Sequence, residues 1–314
     1  MKLLFVADPL HTFKIYKDTT FAMMREAQRR GHTVFACEPQ DITWVSGGQV
    51  SAPLRQIQLT GAPERWFEEV ARQDQALHTM DAIVMRKDPP FNSEYFYATH
   101  LLEQAEREGA RVFNKPRALR DHPEKLAILE FDNFISPTLV TRDAQAIRAF
   151  HAQHRDIILK PLDGMGGMGI FRVKDDALNL GAIIETLNRD GAQTVMVQRF
   201  ITAISQGDKR VLVIGGKPVP YCLARIPQGG EVRGNLAAGG KGVAQALSAR
   251  DREIAEALGP TLFARGLLLV GLDVIGDCLT EVNVTSPTCF QEITDQTGCD
   301  VAQLFLEALE QACA

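Results

Sequence analysis

Five consecutive apolar residues, Leu3–Ala7, open the chain and stop at Asp8-Pro9. An unbroken apolar run of this length, without alternation, predicts a short strand buried on both faces. Residues 18–30 carry a helical pattern that ends at Gly31, and Thr33–Cys37 is the next strand. Ala82–Arg86 repeats the strand signal before Asp88-Pro89-Pro90, a sequence that no helix or central strand accommodates. Ser93 is the expected cap of a helix running through Glu108, with Gly109 as its stop, and Arg111–Phe113 is a further strand. Strand–helix–strand order predicts a parallel sheet with right-handed crossovers, an α/β domain over residues 1–120. Ligands of such sheets lie beyond the carboxyl ends of the strands, where Arg86, Lys87 and Asn114 stand.

Near Asp121 the rhythm changes. A helix is expected around Glu124–Glu130, followed by three hairpin-like pairs: Ile157–Leu162 with Ile170–Val173, Arg210–Ile214 with Val219–Arg225, and Val270–Val274 with Leu279–Val284. Antiparallel pairs interleaved with helices predict an α+β second domain over residues 121–314. Within it, residues 226–242 hold six glycines among seventeen residues, too glycine-rich and polar to pack alone. A long loop of this kind inside a compact domain is expected to act as a lid.

Composition narrows the classes. The 314 residues suffice for two packed domains, and 45% hydrophobic with 23% charged residues is ordinary for a globular protein. A net charge of −5 argues against nucleic acid as a partner, which needs a basic face. The opening apolar run is too short for a signal segment or a membrane span, so no membrane association and a cytoplasmic location are expected. The six cysteines contain no C-x-x-C and are expected to be free thiols, and the histidines form no zinc spacing.

Asp163-Gly-Met-Gly-Gly-Met-Gly169 contains a literal G-x-G-x-x-G, the signature of dinucleotide-binding folds. That signature needs a helix directly after its glycines, whereas Ile170-Phe-Arg-Val173 reads as a strand. The glycines therefore join two antiparallel strands. Four glycines in six residues are costly for an ordinary turn. A hairpin of exposed backbone N–H groups folded over phosphates accounts for them, with Lys160 at the end of the incoming strand adding a positive charge.

The last hairpin carries a second signal. Val270, Leu272, Val274, Val282 and Val284 are apolar and even-numbered, while Asp273, Glu281 and Asn283 are polar and odd-numbered. Strand side chains alternate, so Glu281 and Asn283 share a face. Asp273 joins them if the connecting loop is odd, and a three-residue loop Ile275-Gly276-Asp277 is expected; a two-residue turn would point Asp273 away. Three oxygen donors on one face suit Mg²⁺, with Mn²⁺ as an alternative.

Taken together, Lys125, Lys160, the glycine hairpin, Gln198-Arg-Phe-Ile201 and the D…E-x-N pattern resemble the ATP-grasp ligases. More finely, Arg86-Lys-Asp-Pro-Pro-Phe91, Lys160-Pro-Leu-Asp-Gly-Met-Gly-Gly167, Asp208-Lys-Arg-Val-Leu-Val213 and Ala224-Arg-Ile-Pro-Gln-Gly-Gly230 resemble the bacterial glutathione synthetase type. So do Arg233-Gly-Asn-Leu-Ala-Ala-Gly-Gly240 and Thr280-Glu-Val-Asn-Val-Thr-Ser-Pro-Thr288, and the resemblance spans nearly the whole chain. It departs at the hinge, where many ATP-grasp enzymes carry a glutamate and this chain has Arg199. It implies two antiparallel sheet–helix subdomains clamping ATP. Lys125, Lys160, Gly164, Met165, Gly166 and Gly167 would face the phosphates, Gln198, Arg199, Phe200 and Ile201 the adenine, and Asp208 the ribose. Arg210 and Arg225, with Lys160, would serve the transferring phosphoryl group and the oxyanion. Arg86, Arg233, Gly239, Gly240, Ser286 and Thr288 would hold γ-glutamylcysteine and glycine, and Asp273, Glu281 and Asn283 the metal. The resemblance also implies a homo-oligomer, a tetramer.

Three rivals follow from the same residues. A different ATP-grasp ligase, such as a D-alanine–D-alanine ligase or a glutamate ligase, shares the nucleotide half and differs in the substrate blocks. A regulatory module that binds nucleotide without turnover would be expected to lose a lysine or a metal ligand, and all are present. An NAD-dependent oxidoreductase lacks the helix its glycines require.

Overall fold

The computed structural model describes residues 1–229, 233–234, 236 and 239–314. The first region runs β1 (Lys2–Val6), α1 (Thr19–Arg29), β2 (Thr33–Cys37), β3 (Ser51–Leu59), β4 (Phe67–Ala76), β5 (Ala82–Met85), α2 (Ser93–Arg107), β6 (Val112–Phe113) and α3 (Pro116–Asp121). Its six-stranded sheet has the order β4-β3-β2-β1-β5-β6. The four strands β2, β1, β5 and β6 are parallel, as expected. The sheet is nevertheless mixed, because β3 and β4 form an antiparallel hairpin added to the β2 edge. Leu3, Leu4, Phe5 and Val6 are fully buried, which is why β1 shows no alternation.

Local signals explain the helix ends. Asp18 caps α1 by accepting a hydrogen bond from the Phe21 N–H at 2.8 Å. The cap of α2 is Asn92, which accepts from the Tyr95 N–H at 3.0 Å, and not Ser93, which is the first helical residue. Gly31 and Gly109 follow α1 and α2 at φ +79° and +105°, a region where only glycine is unstrained. The helix expected over 124–130 is replaced by α3 and by 3₁₀ turns over Leu126–Phe134.

The second region continues with β7 (Thr138–Thr141), α4 (Ala144–His154), β8 (Ile157–Pro161), β9 (Phe171–Val173), α5 (Leu180–Asn188) and β10 (Val195–Arg199). It closes with β11 (Asp208–Ile214), β12 (Lys217–Ile226), β13 (Lys241–Ala246), α6 (Ala249–Ala264), β14 (Leu269–Ile275), β15 (Cys278–Asn283), α7 (Phe290–Thr297) and α8 (Val301–Cys313). These strands make two sheets, β7-β10-β8-β9 and β13-β12-β11-β14-β15, in which every pairing is antiparallel. All three predicted hairpins are present.

One buried apolar cluster runs from Leu4 and Ile83 of the first sheet to Val211 and Leu272 of the third, so the two regions share a core. Asn114 is part of that joint. Its amide donates to the Leu269 and Val284 carbonyls at 2.8 Å each, and its oxygen accepts from the Leu269 N–H at 3.0 Å. A buried amide with all its partners inside the protein is a clip between sheets and not a ligand at a strand end. Lys87 is likewise engaged, with Nζ 2.6 Å from the Asp8 carboxylate. The six cysteines are free, and no described helix is long and apolar enough to cross a membrane.

Candidate active site

A cleft of about 490 Å³ opens between the β8–β9 hairpin on one side and the third sheet on the other. Lys160, near the end of β8 and opposite Met196 of β10, crosses it: its Nζ donates to the Thr280 carbonyl on β15 at 3.1 Å. Removing this ammonium from water costs more than its neighbours return, and its pKa falls to about 8. Lys125 Nζ stands 3.1 Å from Glu281 and also donates to the Gly164 carbonyl. The lysine-flanked glycine turn and the carboxylate strand therefore face one cavity.

The glycine turn has the conformation its composition demands. Gly166, Gly167 and Gly169 have φ of +64°, +80° and +70°, values that strain a residue with a Cβ. No helix follows; β9 pairs antiparallel with β8, which removes the dinucleotide-fold alternative. A Cβ on Gly167 would lie 3.3 Å from the Cδ of Arg233, so the lid arginine passes directly over the turn.

Asp273, Glu281 and Asn283 share a face and line the cleft, but not by the expected route. Ile275 pairs with Cys278, so the loop is the two-residue Gly276-Asp277 turn and not a three-residue one. A bulge at Thr280 supplies the missing residue: Val274 pairs with Leu279, and Asp273 pairs with Glu281. The bulged residue is put to use. Its carbonyl accepts from Lys160, and its hydroxyl donates to the Asp273 carbonyl at 3.1 Å.

On the same face lies a buried network of four charges, Asp208, Arg210, Arg225 and Asp273. Arg210, across from Asp273 in the β11–β14 pair, donates to its carboxylate at 2.6 and 3.2 Å. Arg225, across from Asp208 in the β11–β12 pair, lies 2.9 Å from Asp273 and donates to Asp208 at 2.6 Å. Burial alone would raise the Asp273 carboxyl. The charges and hydrogen bonds of Arg210 and Arg225 outweigh it and hold the group below the usual carboxylate range. At Asp208 burial, helped by the neighbouring charge of Asp273, outweighs Arg225 and Arg210, and its pKa rises to about 6. Arg225 is pushed upward, because Asp208 and Asp273 together overcome its own burial.

Most of the predicted residues meet in this cleft. Lys125, Lys160, Gly164, Met165, Gly166 and Gly167 line it, as do Gln198 through Ile201 on the opposite rim, Asp208, Arg210, Arg86, Arg233, Ser286 and Thr288. Three do not. Arg225 is buried and lies off the lining, although both its carboxylate partners, Asp208 and Asp273, are on it. Gly239 and Gly240 also lie off the lining. Parts of the 226–242 lid, including Asn235, Ala237 and Ala238, fall outside the described residues. Arg86 lines the cleft, but it is buried and donates to Thr20 Oγ1 at 3.1 Å and to the Pro287 carbonyl at 3.0 Å. Part of its hydrogen-bonding capacity therefore joins the two regions.

The cleft also contains residues that the sequence pattern does not single out. Asp18, Thr19 and Thr20 at the start of α1 reach it, as do Glu124 and Glu292. Burial raises the Asp18 carboxyl, and burial followed by the charge of Glu281 raises that of Glu124. The cap position of Asp18 is visible in the sequence, but nothing there marks it as facing a ligand. Glu124 carries no signal beyond its place beside Lys125.

A glycine hairpin and two lysines opposed across one cleft to a carboxylate–amide strand, on two antiparallel sheets, define an ATP-grasp protein. The fold is shared with D-cycloserine synthetase DcsG (TM-score 0.68, 15% identity, 99% of this chain and 100% of that one). It is also shared with the ATP-grasp ligase PsnB complexed with minimal precursor (TM-score 0.66, 20% identity, 100% of this chain and 99% of that one). In sequence, residues 1–120 match the prokaryotic glutathione synthetase N-terminal domain and residues 124–298 the prokaryotic glutathione synthetase ATP-grasp domain. The chain belongs to the prokaryotic glutathione synthetase family. Relatives named glutathione synthetase include that of Ralstonia nicotianae, 61% identical over 99% of this chain and 96% of the relative. That of Nitrosomonas europaea is 58% identical over 100% and 99%.

Proposed function

We propose that this protein is a cytoplasmic ATP-dependent carbon–nitrogen ligase that makes glutathione. The cysteinyl carboxylate of γ-glutamylcysteine attacks the γ-phosphorus of ATP, forming an acyl phosphate and releasing ADP. The amine of glycine then attacks the acyl carbon, a proton leaves the nitrogen, and phosphate departs as the amide forms. The observation that carries this reading is Lys125, whose ammonium lies between the Gly164 carbonyl and the Glu281 carboxylate and joins the two walls of one cleft.

Each residue then has a physical task. The backbone N–H groups of the glycine turn and the ammonium groups of Lys125 and Lys160 would hold the phosphates. Arg210, whose Nε and Nη2 are taken by Asp273, would offer its remaining Nη1 to the developing oxyanion, and Arg225 would position Asp273. Arg86, Arg233, Ser286 and Thr288 would hold the dipeptide, with residues 1–120 as the substrate-binding domain. The oxygens of Asp273, Glu281 and Asn283 suit Mg²⁺, with Mn²⁺ as an alternative. The Asn283 amide donates to the Gly271 carbonyl at 3.1 Å, which leaves its own oxygen for the cation. Among the described residues no three His, Cys, Asp or Glu side chains cluster as a metal site; a cation held here would be completed by phosphate oxygens. When bound, that ion would spread the charge of the transferring phosphoryl group. The lid over residues 226–242 would keep water from the acyl phosphate. The protein would act as a tetramer.

The test is ADP release measured with γ-glutamylcysteine plus glycine against D-alanine as sole substrate. Release and a new peptide with the first pair support the reading. Release with D-alanine alone would replace it with a D-alanine ligase, and release with neither would remove the activity.

A further inference from the structure

We propose that Glu124 is a positioning residue that fixes the cation-bearing strand β15 against the phosphate lysines. β15 is the edge strand of its sheet, so its outward N–H groups have no neighbouring strand. Glu124 supplies an acceptor for one of them, at Val282, and for the two residues that follow the strand. Its backbone carbonyl accepts from the Val282 N–H at 2.9 Å. Its Oε1 accepts from the Val284 and Thr285 N–H groups at 2.9 and 3.0 Å, and from the Thr285 hydroxyl at 2.8 Å. Val282 lies between Glu281 and Asn283, so these bonds hold the peptide that carries both side chains. The next residue, Lys125, reaches Glu281 and the Gly164 carbonyl. Two adjacent residues thus set β15, Glu281 and the glycine turn in one arrangement. A carboxylate accepting three hydrogen bonds through one oxygen holds this strand more firmly than water would.

The inference rests on the reading of Glu281 and Asn283 as cation ligands. Its consequence is that Glu124 acts on cation-dependent nucleotide binding through Glu281 and not through the stability of the fold. Equilibrium binding of a non-hydrolysable ATP analogue, with and without Mg²⁺, tests this without turnover. Glu124→Ala and Thr285→Val are expected to weaken binding in Mg²⁺, the former on the order of tenfold, and to leave binding without Mg²⁺ unchanged. Glu124→Gln keeps an oxygen acceptor and is expected to restore most of the affinity. The double variant Glu124→Ala/Glu281→Gln should bind no more weakly than Glu281→Gln alone.

Additive losses in the double variant, or equal losses with and without Mg²⁺, would overturn the proposal while leaving the cation site intact. A Glu281→Gln variant with unaltered Mg²⁺ dependence would remove the cation reading itself and this inference with it. Should Glu124→Ala not fold, Thr285→Val, which removes one hydroxyl donor, carries the same comparison with Glu281→Gln.

Discussion

Asp273 stands directly across from Glu281, although the turn between their strands has only two residues, and the difference is absorbed by the bulge at Thr280. The two carboxylates face the same cleft in different states. Asp273 is enclosed by Arg210 and Arg225, whereas Glu281 is ion-paired with Lys125 and keeps 21% of its side chain exposed.

Replacing each by its amide should therefore separate stability from binding. Asp273→Asn leaves two buried guanidinium groups short of an anion, and a loss of about 3–5 kcal/mol in unfolding free energy is expected. Glu281→Gln should unfold close to the unaltered protein while losing Mg²⁺-dependent affinity for an ATP analogue. Denaturant unfolding and calorimetry on the two variants check this, and equal destabilisation by both would contradict it.

The depressed pKa of Lys160 predicts a pH dependence with a definite sign. With its pKa near 8 in the free protein, the group is charged below that value and neutral above it. Its attraction for phosphate is thus present at pH 7 and lost as pH rises through about 8. Affinity for the ATP analogue is expected to fall between pH 7 and 9. In Lys160→Arg, whose guanidinium stays charged, this decline should be absent, and its persistence would assign the titration elsewhere.

Alanine at Gly166 or Gly167 tests the hairpin. At φ of +64° and +80° a Cβ costs about 1–2 kcal/mol per residue, and at Gly167 it also meets Arg233. Because the turn projects from the sheet edge, that cost is expected to appear in the turn's closure over nucleotide. KM for ATP should rise roughly tenfold with little change in thermal unfolding. An unchanged KM would show that the turn does not close over nucleotide.

Shortening the 226–242 lid is expected to spare nucleotide binding and to waste the activated intermediate. The measurement is the ratio of peptide formed to ATP consumed, which should drop well below one. An unaltered ratio would leave the lid without this role.

Much of the molecule was legible along the chain. The buried run Leu3–Ala7, the glycine stops at 31 and 109, the strand after the 164–169 glycines and the parity of Glu281 and Asn283 follow from local rules of burial, backbone conformation and strand alternation. In the cleft, Lys160, the glycine turn, Glu281 and Asn283 were legible from the same rules, whereas Lys125, residues 198–201, Asp208, Arg233, Ser286 and Thr288 were reached through the resemblance to the ATP-grasp ligases. Other features depend on distant partners. The β3–β4 hairpin is obscured because β3 shifts register between Gln56 and Ile57, so its buried positions change parity, and β4 is exposed along most of its length. The Thr280 bulge carries no local mark, since the extra residue is satisfied by Lys160 and Asp273, which other parts of the chain bring to it. Arg225, Asn114 and Glu124 are polar residues whose partners lie 17 to 170 positions away. Residue type and spacing state what such a side chain can bond to; only the packed sheets decide which atoms it meets, because burial removes water as the competing partner.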